Sequence, residues 1–345
     1  MIVRCPLCHS LLAESDGSLV CVKCGRSYSR LDGYYDLYID SELSTAASYT
    51  PKTNHLLYSR DKILSMKHIP SVFPGALSKQ RDNWNMKLDK LKGTVSRTGT
   101  SERARVEFMV DAYTSEEFKA QERFTERKAE IISELITKIQ PVERTVLHVG
   151  CGGYSNRAIP IMYSRMGYQN WGVDAVRSYV REFLEYGEAH LANATVLPFE
   201  DGTFGVINFT DILEHLFDPL KALQEAYRVL KHNGYIILDT PNRGNPTSPL
   251  YFFAEKILPG LRRPRTITGE WNGEVYFHTE FSRDEIEQLL SQAGFEIRYI
   301  AAKTLNIARI RRNKLPKPVV KQIRVLRQIL TGRNNDPWFV LAQKD

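Results

Sequence analysis

The sequence predicts an α/β fold, with a parallel sheet covered by helices on both faces and a small cysteine-rich unit in front of it. Between residues 145 and 240, short β-rich runs alternate with amphipathic helical runs, which is the pattern of a parallel sheet. Four of the five cysteines lie within the first 24 residues, apart from that pattern. With 345 residues, of which 42% are hydrophobic, the chain is long enough to bury both units.

The N-terminal unit, residues 1–40, contains two Cys-x-x-Cys pairs separated by twelve residues, Cys5 with Cys8 and Cys21 with Cys24. Four thiolates match the tetrahedral preference of Zn²⁺ and leave no open coordination position. The alternative is a set of free or redox-active thiols, although redox motifs rarely come as two spaced pairs. The pattern therefore predicts a zinc ribbon with a structural metal, which would contribute the folding free energy that so small a unit lacks.

Residues 41–114 are predicted to form a helical and irregular linker region. Three prolines between 51 and 74 interrupt it, and its charged stretches suit short solvated helices. From Ser115 the apolar residues return at helical spacing, which predicts an amphipathic helix that leads into Pro141. The sheet is therefore assigned to a domain at 115–345.

The alternating elements of this domain follow the helix. Strands are predicted at 145–149, 170–174, 204–209 and 234–240, with helices near 156–166, 176–186 and 219–230, and a further helix starting near Ser282. Two more β-rich runs, at 295–302 and 338–342, could pair antiparallel with each other. Two long stretches between the elements, about 242–273 and 303–335, are predicted to be insertions.

The formal net charge of +7 is unevenly distributed. Residues 303–333 contain ten Lys or Arg and no acidic residue, so the rest of the chain is slightly acidic. Within this basic segment, 319–330 has apolar residues at helical spacing with cations on the other face. Such a helix suits contact with nucleic acid or peripheral contact with an anionic membrane, and it equally suits an ordinary helix with its cations in water.

No transmembrane segment is predicted, because no run of about 18 apolar residues occurs. The first residues also lack the apolar core of a signal peptide. The cysteine usage fits a reducing compartment. We therefore expect a cytoplasmic protein.

A glycine-rich turn, Gly150-Cys151-Gly152-Gly153, directly follows the hydrophobic run at 145–149. Glycines let backbone N–H groups approach a ligand closely, and the next strand ends in Asp174, about one βα unit later. A carboxylate in that position can bind the hydroxyls of a ribose. The pattern predicts a site for a nucleotide-like cofactor.

Three later blocks follow this turn in a recognisable order. They read Leu197-Pro198-Phe199-Glu200-Asp201-Gly202-Thr203-Phe204, Leu213-Glu214-His215 and Arg228-Val229-Leu230-Lys231-His232-Asn233-Gly234. Together with the turn, they resemble the class I S-adenosylmethionine (SAM)-dependent methyltransferases of the type 11-like group, over roughly residues 142–295. The resemblance implies a Rossmann-like seven-stranded sheet whose last two strands are antiparallel, with SAM as cofactor.

The resemblance also implies which residues bind SAM. The expected set has glycines at the methionine end, Asp174 on the ribose hydroxyls, an amide at the adenine amino group and polar residues facing the sulfonium: Gly150, Gly152, Gly153, Asp174, Asn193, Ala194, Thr210 and Asp211. Family members have Asp or Glu at the position of His148 and glycine at that of Tyr154. His148 is therefore either a ligand of the amino-acid end of SAM or a buried strand residue.

A catalytic base is needed only if the methyl acceptor is a protonated nucleophile such as a hydroxyl. The candidates are His215, which equally suits a structural role, and His278, which precedes the helix near Ser282 in the region where the family builds acceptor pockets.

The acceptor is open to three interpretations. The SAM domain resembles enzymes such as the ubiquinone-type O-methyltransferases, which favours a small-molecule or saccharide/lipid-linked acceptor, methylated at oxygen. A four-cysteine ribbon before a SAM domain resembles the bacterial ribosomal-RNA guanine methyltransferases, which leaves RNA as the second interpretation, with phosphate contacts from Arg262, Arg263, Arg311 and Arg312. The third is a catalytically degenerate scaffold.

Two other chemistries find no support in the sequence. The fourth predicted strand ends Asn208-Phe209-Thr210-Asp211, unlike the Asn-Pro-Pro-Tyr signature of enzymes that methylate exocyclic amines. No clustered carboxylates suggest a metal-dependent catechol-type mechanism.

Overall fold

The structure is a computed structural model that describes residues 3–31, 33–39, 57–59, 115–141, 143–152, 158–175, 177–216, 218–242, 266–271, 274–303 and 336–345. The described strands form three sheets of four, seven and three strands. The basic segment proposed as a surface helix at 319–330 lies outside the described residues, as do Arg262, Arg263, Arg311 and Arg312.

The N-terminal unit is an antiparallel sheet of four short strands. They are β1 (Leu12–Ser15), β2 (Ser18–Cys21), β3 (Ser27–Leu31) and β4 (Tyr34–Tyr35). Ser15 pairs with Ser18, so only Asp16 and Gly17 connect β1 to β2, with φ values of 46° and 73°. Asp-Gly is a favoured pair for such a two-residue hairpin because both residues need positive φ.

The main sheet has seven strands in the order β13-β14-β10-β9-β6-β7-β8. They are β6 (Thr145–Val149), β7 (Gln169–Asp174), β8 (Glu188–Leu191), β9 (Phe204–Thr210), β10 (Leu230–Thr240), β13 (Phe295–Ala302) and β14 (Trp338–Lys344). Strands β6 to β10 are parallel, and β14 runs antiparallel to both β10 and β13. The predicted fold class, including the antiparallel last pair, is confirmed.

Helices cover both faces of this sheet. They are α1 (Ser115–Ile136), α2 (Ala158–Arg165), α3 (Arg177–Phe183), α4 (Pro219–Val229) and α5 (Arg283–Ala293). On one face, Ile132 of α1 and Tyr163 of α2 pack with Val146 of the sheet. On the other, Leu223 of α4 and Leu290 of α5 belong to one core cluster with strand residues of the same sheet.

The ends of these helices follow local sequence signals. Ser282 caps α5 by accepting from Glu285 N, while the Glu285 side chain accepts from Ser282 N in a capping box. Gly294, with a φ of 98°, ends the helix in the left-handed conformation. Asp218 caps α4, and Pro219 occupies its first turn. The predicted starts of both helices are confirmed.

A third, three-stranded sheet follows the order β11-β12-β5. It consists of β5 (Leu57–Ser59), β11 (Thr266–Trp271) and β12 (Glu274–Thr279), all antiparallel. The sequence reasoning did not predict these strands. Strand β12 lies against the 3₁₀ turn Leu213–His215, which follows β9 in the main sheet.

Candidate cofactor and acceptor site

The turn after β6 brings backbone N–H groups towards the end of β7. Gly150 has a φ of 72°, and the N–H groups of Gly150 and Cys151 both donate to Val173 O, at 2.9 and 3.1 Å. Glycine adopts this left-handed conformation without the steric cost that a side chain would add. The turn therefore lies directly at the carboxyl ends of two adjacent parallel strands, where ligands bind in open α/β sheets.

Asp174 ends β7 and is joined to this turn. Its Oδ2 accepts from Gly152 N at 3.1 Å, which places a half-buried carboxylate beside the glycines. A Cβ atom at position 152 would come within 1.8 Å of Tyr179 Cβ, so the close packing of α3 requires glycine here. The structure thus brings Gly150, Gly152 and Asp174 together as the sequence predicted. Gly153 and Tyr154 lie outside the described residues.

His148 lies below this turn, within the sheet. Its side chain is buried, with Nε2 at 2.9 Å from Asn170 Oδ1 and its ring edge-on to Tyr163. Burial lowers the pKa of His148 to about 4, so the ring is neutral near pH 7. These contacts favour the interpretation of His148 as a buried strand residue over that of a cofactor ligand.

Asn193 is held by contacts on both sides of its amide. Its Oδ1 accepts from Thr195 N at 3.0 Å and from Thr195 Oγ1 at 2.9 Å, and its Nδ2 donates to Ile39 O at 3.2 Å. The amide oxygen expected at the adenine amino group is thus already bonded within the protein. Ala194 lies next to it, partly buried against the core. The adenine role of both residues stays a prediction.

Lys128 of α1 is the centre of a buried charged cluster at the carboxyl ends of β9 and β10. Its Nζ donates to Asp211 Oδ1 at 2.5 Å and to Asp239 Oδ2 at 2.6 Å. The side chains of Lys128 and Asp239 are 1% and 0% exposed, whereas that of Asp211 is 28% exposed. Burial disfavours the charged amine, but the two carboxylates outweigh it and hold the pKa of Lys128 above its usual range.

Asp239 and one further acidic residue, Glu214, are the most deeply buried carboxyl groups of this region. Burial raises the pKa of Asp239, and its Oδ1 has no hydrogen-bond partner among the described residues. Glu214 accepts from Thr240 Oγ1 at 3.2 Å, and burial together with Asp211 raises the pKa of Glu214 well above its usual value. Thr210, expected to face a sulfonium, is buried and accepts from Asn208 Nδ2 at 2.7 Å.

The four N-terminal cysteines converge as their spacing predicted. Their Sγ atoms all lie within 4.8 Å of one another, with Cys5 at 3.7 Å from Cys24 and Cys8 at 3.4 Å from Cys21. A tetrahedron with Zn–S bonds of about 2.3 Å has sulfur atoms about 3.8 Å apart, so the donor set fits zinc.

Residues 120–300 match the model of a protein family described as a methyltransferase domain, and this range holds the turn after β6, Asp174 and the charged cluster. The chain belongs to the class I SAM-dependent methyltransferases. The resemblance found in the sequence is thereby confirmed.

Other methyltransferases are similar over part of their length. A probable SAM-dependent methyltransferase of Mycolicibacterium smegmatis is 29% identical over 184 residues, 52% of this chain and 62% of the relative. One of Mycobacterium tuberculosis is 30% identical over 154 residues, 44% of this chain and 48% of the relative. The chain thus spans about half to three-fifths of these relatives. A solved SAM-dependent methyltransferase from Methanosarcina mazei superimposes with a TM-score of 0.42 at 19% identity, over 61% of this chain and 96% of that one.

Relatives with named substrates are also found. The ubiquinone biosynthesis O-methyltransferase of Pseudomonas paraeruginosa is 28% identical over 184 residues, 47% of this chain and 69% of that enzyme. The mitochondrial 2-methoxy-6-polyprenyl-1,4-benzoquinol methylase of Bos taurus is 31% identical over 113 residues, 31% of this chain and 34% of the methylase.

The two histidines predicted as candidate bases lie on neighbouring elements of this methyltransferase. His215 is buried in the 3₁₀ turn after β9, with Nε2 at 4.0 Å from Glu214 Oε1. His278 lies in β12, the strand that packs against this turn. The backbone thus brings both positions to the region that follows the carboxyl end of β9, and their catalytic roles stay predictions.

The Lys128 cluster is the feature that sequence reasoning missed. The sequence contained one signal that Lys128 is buried. Lys128 lies three and four residues before the buried Ile131 and Ile132, so it is on the apolar face of α1. The convergence of Asp211, which was expected at the cofactor, with Asp239 is likewise produced by the tertiary structure. Their shared partner is an ammonium group of the protein itself.

Proposed function

We propose that this methyltransferase transfers a methyl group from SAM to a small-molecule or saccharide/lipid-linked acceptor, at an oxygen atom. The observation that carries the proposal is the hydrogen bond between Gly152 N and Asp174 Oδ2, which joins the glycine turn to the carboxylate at the end of β7. Within this family, such an arrangement suits a ribose bound at Asp174 and an amino-acid end near Gly150.

The sulfonium of SAM would then lie towards β9, near Thr210 and Asp211. The partly exposed Asp211 carboxylate attracts the cation, an interaction worth about 1 kcal/mol at 4 Å in water and more where solvent is excluded. Lys128 keeps this carboxylate in one position. Because the sulfonium is an excellent leaving group, most of the acceleration comes from holding acceptor and methyl group in line.

An oxygen acceptor that carries a proton must lose it during the transfer. His278 and His215 are the candidate bases, since both lie on elements beside the end of β9. The similarity to the ubiquinone biosynthesis O-methyltransferase and to the benzoquinol methylase supports a small acceptor rather than a macromolecule. Contact with RNA or with an anionic membrane stays a prediction for the basic segment. Among the described helices, none is long and apolar enough to cross a membrane.

We also propose that Cys5, Cys8, Cys21 and Cys24 hold a structural Zn²⁺. Four protein thiolates fill a tetrahedral site, so the metal has no open position for a substrate. Its contribution is therefore to the folding of the N-terminal unit, and it does not take part in the chemical step.

The test is calorimetric titration of zinc-loaded protein with SAM and with S-adenosylhomocysteine (SAH), followed by incubation with radiolabelled SAM and separate small-molecule and RNA fractions of a cell extract. We expect both cofactor forms to bind and label to enter the small-molecule fraction. Label in RNA alone would contradict the proposed acceptor class. If folded protein binds neither SAM nor SAH, the enzymatic proposal is wrong, and the interpretation as a catalytically degenerate scaffold is favoured.

A further inference from the structure

The last part of the N-terminal unit runs alongside the edge strand of the main sheet. Asp36 forms a parallel bridge with Leu191 of β8, and Leu37 N donates to Leu191 O at 2.9 Å. On its other side, Leu191 pairs with Asp174 of β7. The N-terminal unit therefore extends the sheet at its carboxyl edge, one strand away from the carboxylate proposed to bind ribose.

The same unit holds both ends of the segment that the family resemblance assigns to adenine. At one end, Ile39 O accepts from the Asn193 side chain at 3.2 Å. At the other, Arg4 N donates to Pro198 O at 2.9 Å, and the Arg4 side chain forms an ion pair with Glu200. These contacts constrain the path of residues 193–200.

Apolar packing joins the unit to the cofactor turn itself. Tyr34 is buried in one cluster with Cys151, which lies between Gly150 and Gly152 of the turn, and with Phe183 of α3. Two of the proposed metal ligands, Cys5 and Cys21, are buried in the same core cluster as Phe199. The metal site therefore packs in the same cluster as the adenine segment, while the same N-terminal unit reaches the glycine turn through Tyr34 in a second cluster.

We propose that the ribbon supports the adenosine end of the SAM site, and that binding of its metal raises the affinity for the cofactor. The inference rests on the proposed function, because it needs SAM to bind at Asp174. A unit of this size depends on its metal to stay folded. When the metal leaves, the supports of Leu191, Asn193 and Pro198 are lost together.

This assignment separates the ribbon from acceptor recognition. The ribbon contacts described above are with β8 and with the segment 193–200, whereas the charged cluster proposed near the sulfonium lies at the ends of β9 and β10, and β6 and β7 separate β8 from β9. Linkage between two binding sites is reciprocal. Bound cofactor must therefore raise the affinity for the metal by the same factor by which the metal raises the affinity for the cofactor. That reciprocity provides a readout that needs no methyl acceptor.

The first experiment compares SAH binding by zinc-loaded and chelator-treated protein in calorimetry, with circular dichroism to follow the α/β domain. We expect the zinc-free protein to bind SAH at least about ten-fold more weakly, within the usual range of coupling between linked sites. In the reciprocal arm, saturating SAH should slow zinc transfer to a chromogenic chelator. Equal SAH affinity with and without zinc would overturn the proposal, as would a rate of zinc release that is the same with and without SAH.

A second experiment decides the matter if zinc removal unfolds the whole chain. Tyr34→Ala keeps all four cysteines but removes a buried side chain from the cluster that contains Cys151, so the zinc-loaded variant should bind SAH more weakly at full zinc content. Tyr34→Phe, which keeps the ring, should restore the affinity. Leu11→Ala is the matched control, because Leu11 is 55% exposed on the ribbon. Equal SAH affinity in Tyr34→Ala and Leu11→Ala would overturn the proposal.

The two proposals fail in different ways. If zinc-loaded wild-type protein binds neither SAM nor SAH, the proposed cofactor site is wrong and the ribbon has no such site to support. If it binds both and zinc makes no difference, only the ribbon assignment is wrong.

Discussion

The two ends of the sheet's carboxyl edge are built from different interactions. At the β7–β8 end, the ribbon contributes backbone hydrogen bonds to Leu191 and Pro198 and buried apolar side chains such as Tyr34. At the β9–β10 end, Lys128 holds two carboxylates in ion pairs with almost no exposure of the ammonium. The ribbon's contacts at the first end are mainly backbone and apolar, beside Asp174 and the Arg4–Glu200 ion pair, whereas a buried charged cluster dominates the second end.

The difference follows the chemistry proposed for each end. The adenosine part of SAM keeps its charge state through methyl transfer, so a neutral wall is sufficient to hold it. The sulfonium loses its positive charge in the transfer, so a nearby carboxylate favours binding of the charged cofactor over its neutral product and does not by itself accelerate the chemical step. The ion pair with Lys128 fixes the position of the Asp211 carboxylate for that binding role.

Replacing Lys128 should produce the largest effect and tests whether the charged end behaves as one unit. Lys128→Met leaves Asp239 buried without a cation, which costs about 3–5 kcal/mol of unfolding free energy when a buried pair loses one partner. Denaturant unfolding measures it. Lys221→Met, at an exposed lysine of α4, is the control and should be close to wild type. A loss as small as the control's would mean that the cluster is not electrostatically coupled.

Asp174→Asn should have the next largest effect, on cofactor binding. A neutral amide in place of the carboxylate weakens hydrogen bonds to the ribose hydroxyls by about 1.5–3 kcal/mol, or roughly 10- to 100-fold in the SAH dissociation constant. Titration calorimetry measures this. Asp284→Asn, on an exposed position of α5, provides the reference for removing one charge. Unchanged SAH affinity in Asp174→Asn would contradict the proposal that the ribose binds at this end of the sheet.

His148 lies between the two ends, and its titration should appear in the pH dependence of stability. Its pKa is about 4 in the folded protein, so the folded state binds fewer protons than the unfolded state between pH 6.5 and 4. Stability therefore falls as the pH drops through that window. When the pH is lowered from 7 to 5, the unfolding free energy of the wild type should fall by about 2 kcal/mol more than that of His148→Gln.

Urea unfolding at both pH values measures the His148 contribution. His232→Gln, at an exposed histidine, should follow the wild-type pH dependence. If His148→Gln also shows the wild-type pH dependence, burial does not hold the His148 ring neutral. The interpretation of His148 as a ligand of the amino-acid end of SAM would then be favoured.

The smallest effect is expected for Arg4→Ala at the β7–β8 end. Its ion pair with Glu200 is partly exposed, at 19% and 40% of the two side chains, and such pairs contribute about 0–1 kcal/mol. Unfolding free energy and SAH affinity should both stay close to wild type. A loss of affinity comparable to that of Tyr34→Ala would show that charge also holds the adenine end, and the contrast between the two ends would disappear.

Strand patterns show where local sequence was sufficient. The runs that became β6, β9 and β10 are apolar and β-rich, so their positions were predicted to within a few residues. Strand β8, Glu188–Leu191, was missed because four residues reading Glu-Ala-His-Leu carry neither a β-branched residue nor a clear alternation. Its strand conformation comes from pairing with β7 on one side and with Asp36 on the other.

The candidate site divides in the same way. The glycine turn, Asp174 and the cysteine pairs are local motifs whose residue types and spacing already specify a ligand chemistry. The partner of Asn193 is a carbonyl 154 residues away, and Lys128 and Asp239 are 111 residues apart. No local pattern relates residues at such separations.

By itself, the sequence determined that a parallel sheet follows a four-cysteine unit and that a glycine-rich turn ends the first strand of that sheet. These features follow from hydrophobic periodicity, glycine conformation and the spacing of thiolates, which act over a few residues. Only the tertiary structure decided that the ribbon lies on β8 and that Lys128 joins Asp211 to Asp239. Periodicity specifies which face of an element is buried, whereas the partner that covers this face depends on the path of the whole chain.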